Sequence, residues 1–88
     1  MGNKSFLYDY LNAYSPVAQE YEGQKIWASY IKDYCDDVKI DSYGTAYGIL
    51  KSGEPNAKKV VIEAHCDEIA WIVVQIEKDG FLRVKTHG

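Results

Sequence analysis

The spacing of apolar residues changes near the middle of the chain from a helical period to a strand period. Before residue 35, apolar side chains recur every three or four residues, as in amphipathic helices that bury one face. After residue 37, short apolar or alternating runs are separated by Gly, Pro, Asn and Asp, as in strands joined by turns. Because neither kind of element buries its apolar face alone, the pattern predicts helices packed on a sheet.

Two amphipathic helices are predicted in the first half. Ser15-Pro16 ends the first one, because the residue before a proline is disfavoured in the α-helical conformation. The second helix is expected to be about 12 residues long. The two apolar stripes consist of Phe6, Leu7, Tyr10, Leu11 and Tyr14, and of Ile26, Trp27, Tyr30, Ile31 and Tyr34.

Five strands are predicted in the second half. Residues 59–64 form a continuous apolar run, which is typical of a strand buried in the middle of a sheet. Asp79-Gly80 is a hairpin signal, and both turn residues are expected to have positive φ. The pattern predicts an α/β fold with two amphipathic helices on one side of a mixed five-stranded sheet. The predicted strands contain Val38 and Ile40, 45–51, 59–64, 69–77 and 81–85.

The composition argues against several classes of protein. A formal net charge of -3 does not suit nucleic-acid binding, which needs a basic surface for phosphate. The longest apolar stretch, residues 69–76, is too short to span a bilayer, and the first residues lack a secretory signal. Cys35 and Cys66 do not make a disulfide framework. We therefore expect a cytoplasmic protein that binds neither nucleic acid nor membrane.

The segment Ala64-His65-Cys66-Asp67-Glu68 follows the most apolar predicted strand, where open α/β sheets place their ligands. His65 and Asp67 are two residues apart, so they point to the same side of an extended chain. A metal-bound imidazole usually donates its other ring N–H to a carboxylate, and this pair has that chemistry. The same pair also occurs as a purely structural hydrogen bond, so the motif alone leaves both interpretations open.

Residues 64–73, Ala-His-Cys-Asp-Glu-Ile-Ala-Trp-Ile-Val, together with Asp79-Gly80-Phe81, resemble part of the glutamyl-aminopeptidase and tetrahedral aminopeptidase family of dinuclear metallopeptidases. Residues 38–44 resemble the strand of that family that ends in Asp-x-x-Gly-Asn. The resemblance implies a partial zinc-exopeptidase-like (phosphorylase/hydrolase-like) catalytic domain. Residues 1–88 would be its incomplete amino-terminal part, without the rest of the catalytic domain and an inserted β-rich domain.

The chain departs from the family pattern at Cys66, which replaces Met, and at Ala70-Trp71, which replaces Gly-Phe. Thr45 stands where Asn is usual, and the helix–helix connection, residues 15–22, lacks a Gly-rich turn. These differences indicate a divergent branch and leave the substrate preference open.

The resemblance also implies roles for three residues. His65 would bind one of two divalent metals, zinc or cobalt, Asp67 would be the catalytic aspartate that orients it, and Glu68 would be structural. The family's other ligands and its general base have no match here. The 88-residue chain alone is therefore expected to be inactive and to bind metal weakly at most. The intact parent is expected to be a homo-oligomer that acts on peptides.

Two alternatives remain open. One is a small non-catalytic α/β module that binds a partner or oligomerises through its bare sheet face, with His65–Asp67 as a structural pair. The other is a related dinuclear hydrolase, such as a carboxypeptidase or deacylase, although the residues that follow Asp67 favour the aminopeptidase. Cys66 is not expected to act with His65 as a nucleophile, because neighbouring residues on a strand face opposite ways. His87 is expected to be an exposed histidine.

Overall fold

The structure, a computed structural model, describes residues 4–88 and contains both predicted helices. Helix α1 spans Lys4–Asn12, which agrees with a helix that ends before Ser15-Pro16. Helix α2 spans Tyr21–Ile31, so it begins earlier than its apolar stripe and ends before Tyr34. The two helices pack against each other through stacked aromatic rings. The ring centroids of Phe6 in α1 and Tyr30 in α2 are 3.9 Å apart.

Four strands form two antiparallel hairpins in the described part of the chain. Strand β1 (Asp37–Ile40) pairs with β2 (Ala46–Ile49), and β3 (Ala70–Ile76) pairs with β4 (Leu82–His87). Helix α2 packs against the first hairpin. The mixed α/β class is confirmed, but the described residues form two small sheets rather than one mixed five-stranded sheet.

Residues 59–64, expected to be a central strand, make no strand pairing in the structure. Val60, Val61 and Ile62 are 82 to 95% exposed. A strand is defined by hydrogen bonds to a neighbour, and none of residues 4–88 lies alongside this segment as a paired strand. An apolar sequence favours burial, but hydrogen-bonded strand pairing also requires a neighbouring strand.

The turn of the second hairpin differs in detail from the prediction. The backbone N–H of Gly80 donates to the Glu77 carbonyl oxygen at 3.1 Å, and the N–H of Glu77 donates to the Phe81 carbonyl oxygen at 2.8 Å. Gly80 has φ +91°, but Asp79 is not in the positive-φ region. The hairpin at Asp79-Gly80 is therefore confirmed, and the prediction of two positive φ values is wrong. The hairpin therefore has a three-residue loop, residues 78–80, with glycine at its last position, instead of a two-residue turn.

The chain is open rather than compact. Its radius of gyration is 17.9 Å, against about 12 Å for a compact domain of this length. The accessible surface is 7874 Å², against about 5,200 Å² for a folded monomer of this mass. Apart from Pro16, none of the described aliphatic or aromatic side chains is buried. The buried residues among 4–88 lie at the helix–helix connection and the start of α2: Ser15, Pro16, Gly23 and Gln24. Within the same residues, no helix has the length and apolar character to cross a membrane.

Candidate functional site

His65 and Asp67 lie between the unpaired segment and β3, and their side chains are in contact. The His65 Nδ1 lies 3.1 Å from Asp67 Oδ1 and 3.2 Å from the Asp67 carbonyl oxygen. Both oxygens only accept hydrogen bonds, so the Nδ1–H of His65 is the donor. In the neutral imidazole this arrangement leaves the Nε2 lone pair for a ligand. The side chain of His65 is 84% exposed and that of Asp67 is 37% exposed.

The pair has the chemistry of one metal ligand and its supporting carboxylate. A zinc-binding imidazole uses one ring nitrogen for the metal and gives the other N–H to an acceptor, as His65 gives its Nδ1–H to Asp67. The described residues nevertheless contain no group of three or more His, Cys, Asp or Glu side chains that could hold a metal ion. The pair therefore fits a metal as one donor of a larger set, and the metal and catalytic roles of His65 and Asp67 stay predictions.

Glu68 contacts the rest of the molecule through its backbone. Its N–H donates to the Ser15 carbonyl oxygen at 2.9 Å, and it forms a parallel bridge with Pro16. The helix–helix connection is thus joined to the chain directly after Asp67. The structural role expected for the Glu68 side chain stays a prediction.

Cys66 lies beside the pair in a half-buried position. Burial raises the pKa of the Cys66 thiol, and the negative charge of Glu20 raises it further. Burial, followed by the nearby Cys66, also raises the pKa of Tyr10 in α1. A thiol with a raised pKa is protonated at neutral pH and is a poor nucleophile.

We expect the Cys66 thiol to be alkylated more slowly at neutral pH than an ordinary exposed cysteine. Burial and the negative charge of Glu20 raise the pKa of Cys66, so its thiolate fraction at neutral pH is smaller than for an ordinary cysteine. Mass spectrometry of iodoacetamide labelling across pH gives this rate. Rapid labelling at pH 7 would contradict an inert thiol.

His87 is not the exposed histidine that the sequence suggested. It is half-buried at the end of β4, and its Nε2 lies 2.9 Å from the Val17 carbonyl oxygen. The carbonyl only accepts, so the proton is on Nε2 and the ring donates. No local sequence pattern could reveal this contact, because its partners are 70 positions apart.

Comparison with known proteins places the chain among peptidases. The profile of the M42 glutamyl aminopeptidase family matches residues 44–88, which include β2, the candidate pair and the second hairpin. The chain belongs to this family. The resemblance that the segment around His65 suggested is thereby confirmed.

Two similar proteins extend the comparison over more of the chain. A lysyl aminopeptidase of Pyrococcus furiosus is 44% identical over 58 residues, which is 66% of this chain and 16% of that protein. The crystal structure of a TET aminopeptidase from the marine sediment archaeon Thaumarchaeota archaeon SCGC AB-539-E09 superimposes with a TM-score of 0.79 at 28% identity. That match covers 97% of this chain and 23% of the solved one. The chain thus spans about a sixth of the curated relative and about a quarter of the solved chain.

Proposed function

We propose that this chain is the amino-terminal part of the catalytic domain of a metal-dependent aminopeptidase that removes amino-terminal residues from peptides. One observation carries the proposal: the segment that matches the peptidase family contains a histidine whose Nδ1 lies 3.1 Å from a carboxylate. That contact is the usual support of a metal-binding imidazole.

In this proposal His65 supplies Nε2 to one of two divalent metals, zinc or cobalt. A bound divalent metal would polarise the carbonyl of the scissile bond. Asp67 holds the Nδ1–H, which keeps the imidazole in the tautomer with an open Nε2 and limits rotation of the ring. A carboxylate partner on the other ring nitrogen generally strengthens a histidine as a metal ligand.

The remaining donors and the general base are proposed to come from the rest of a longer chain. A dinuclear site needs several protein ligands, and residues 4–88 supply one supported histidine. The open shape fits this view, because the exposed Val60, Val61 and Ile62 would be buried if further strands paired with residues 59–64. We propose that such pairing makes residues 59–64 part of a larger sheet.

The proposal also covers the cellular location, the assembly and the specificity of the full-length protein. We place it in the cytoplasm, since the free cysteines Cys35 and Cys66 suit a reducing compartment. We expect a homo-oligomer, as the resemblance to the tetrahedral aminopeptidase family implies. The family is described as a glutamyl aminopeptidase family and the Pyrococcus furiosus relative as a lysyl aminopeptidase, so the preferred amino-terminal residue is left to measurement.

The test is hydrolysis of fluorogenic amides of lysine, glutamate and leucine by the full-length protein, with the N-acetylated amides as the matched control. We expect cleavage only of substrates with a free amino terminus, loss of activity with a chelator, and recovery with zinc or cobalt. The 88-residue polypeptide alone should cleave none of them. Activity that survives complete metal removal would contradict the proposal, and release of acetate from N-acetylated amino acids would favour a deacylase.

A further inference from the structure

The connection between the helices contacts the start of β3 and the end of β4, which lie together at the open end of the second hairpin, where Ala70 pairs with His87. We call residues 15–20 the interhelix loop. On the β3 side, the Glu68 N–H donates to the Ser15 carbonyl oxygen at 2.9 Å. On the β4 side, the Nε2–H of His87 donates to the Val17 carbonyl oxygen at 2.9 Å. The interhelix loop is therefore hydrogen-bonded to both sides of the hairpin. One of these bonds is made by Glu68, which immediately follows Asp67.

Close packing accompanies these hydrogen bonds. A Cβ placed on Gly88 would lie 3.3 Å from Val17 Cγ2 and 3.4 Å from the Cα of Ile69, so three segments meet there with little room. Ser15 and Pro16, in the loop itself, are among the few buried residues of the described chain. The attachment of the interhelix loop is thus one of the best-packed parts of an otherwise open structure.

The interhelix loop also has a defined shape of its own. Ala18 has φ +65°, which is uncommon for a residue with a Cβ. Its N–H donates to Glu20 Oε1 at 2.8 Å. A residue stays in this conformation when the contacts around it hold it there. Contacts within the loop and contacts to the hairpin therefore act together.

We propose that His87 is a positioning residue for the candidate metal ligand. The inference rests on the proposed function, because it takes His65 as that ligand. His87 is the side chain that fastens the loop to β4, and Glu68 transmits the position of the loop to the neighbouring Asp67. If the bond to Val17 is lost, the segment 65–67 is less firmly held. A ligand displaced by about 1 Å already weakens a metal site.

The experiment compares His87→Gln and His87→Asn in the full-length protein. Both side chains carry an amide group, but they differ in length. Glutamine at 87 can place its amide N–H near the position of the imidazole Nε2, whereas asparagine is too short. We expect His87→Asn to bind zinc about tenfold more weakly in chelator competition. His87→Gln should stay within about threefold of the wild type. Lys85→Gln, an exposed change on the same strand, is the control and should have no effect.

Kinetics and spectroscopy add readouts that a change in stability alone would not alter. With metal at saturation, His87→Asn should lower kcat and leave KM within about twofold. The visible absorption of the cobalt-loaded protein should also change in His87→Asn and not in His87→Gln, because it reports ligand geometry.

His65→Ala separates failure of this inference from failure of the proposed function. If His65→Ala abolishes zinc binding while His87→Asn and His87→Gln bind alike, the positioning role is overturned and the proposed function stands. If His65→Ala leaves zinc binding unchanged, the proposed function itself fails. If His87→Asn lowers only the denaturation midpoint, with zinc affinity and kcat preserved, the bond to Val17 is merely structural and the inference is wrong.

Discussion

Replacing His65 with alanine is expected to lower the peptidase activity of the full-length protein about a thousandfold. A catalytic metal contributes several kcal/mol of transition-state stabilisation, and each 1.36 kcal/mol is a factor of about ten in rate. The variant should also retain less metal per chain, measured by mass spectrometry after gel filtration. Because the side chain is exposed in the described chain, removing it should change the structure little.

Lys58→Ala is the matched control, since Lys58 is exposed and, like His65, lies outside the helices and strands. It should keep both its metal and its activity. An alanine variant of His65 with full metal content and normal kcat would show that the His65–Asp67 contact is only structural. In that case the non-catalytic module would become the better interpretation.

Asp67→Asn is expected to weaken metal binding about 10- to 100-fold, the usual effect of losing a carboxylate that supports a metal-bound histidine. The amide oxygen can still accept the Nδ1–H of His65 at the observed distance, so the contact is kept and the negative charge is lost. The substitution thereby isolates the electrostatic part of the support. Isothermal titration of the metal-free full-length protein with zinc measures the effect.

Asp33→Asn provides the control for charge alone, because Asp33 is exposed and remote in sequence from the pair. It should not alter the affinity for zinc. Unchanged zinc binding in Asp67→Asn would mean that the carboxylate does not act on a metal-bound imidazole. It would leave His65 as a ligand without the proposed partner.

Elements whose pattern is local were predicted well from the sequence. The period of the apolar residues identified both helices, and the residue before Pro16 correctly limited the first. Asp79-Gly80 identified the second hairpin, because a glycine that can adopt positive φ is a local requirement. Helix α2 begins at Tyr21, several residues before the apolar stripe that predicted it, and it includes Gly23, a poor helix former. Its place in the helix is explained by close contact, as a Cβ there would lie 2.4 Å from Ser15 Oγ.

Features that depend on distant residues could not be predicted in the same way. The expectation that residues 59–64 form a buried strand was wrong for the described residues, because burial and pairing both depend on a neighbouring strand. The contact between His87 and Val17 joins residues 70 positions apart and leaves no trace in local periodicity. The contact between His65 and Asp67 was foreseeable because it is made within three residues.

The most direct test is anomalous diffraction at the zinc edge from crystals of the full-length protein loaded with zinc. The proposal expects a zinc ion about 2.0–2.1 Å from His65 Nε2, the usual distance for a histidine ligand. Asp67 should remain on the opposite ring nitrogen, as it is in the present structure. Zinc bound elsewhere, with the His65 imidazole packed away from every metal, would contradict the account.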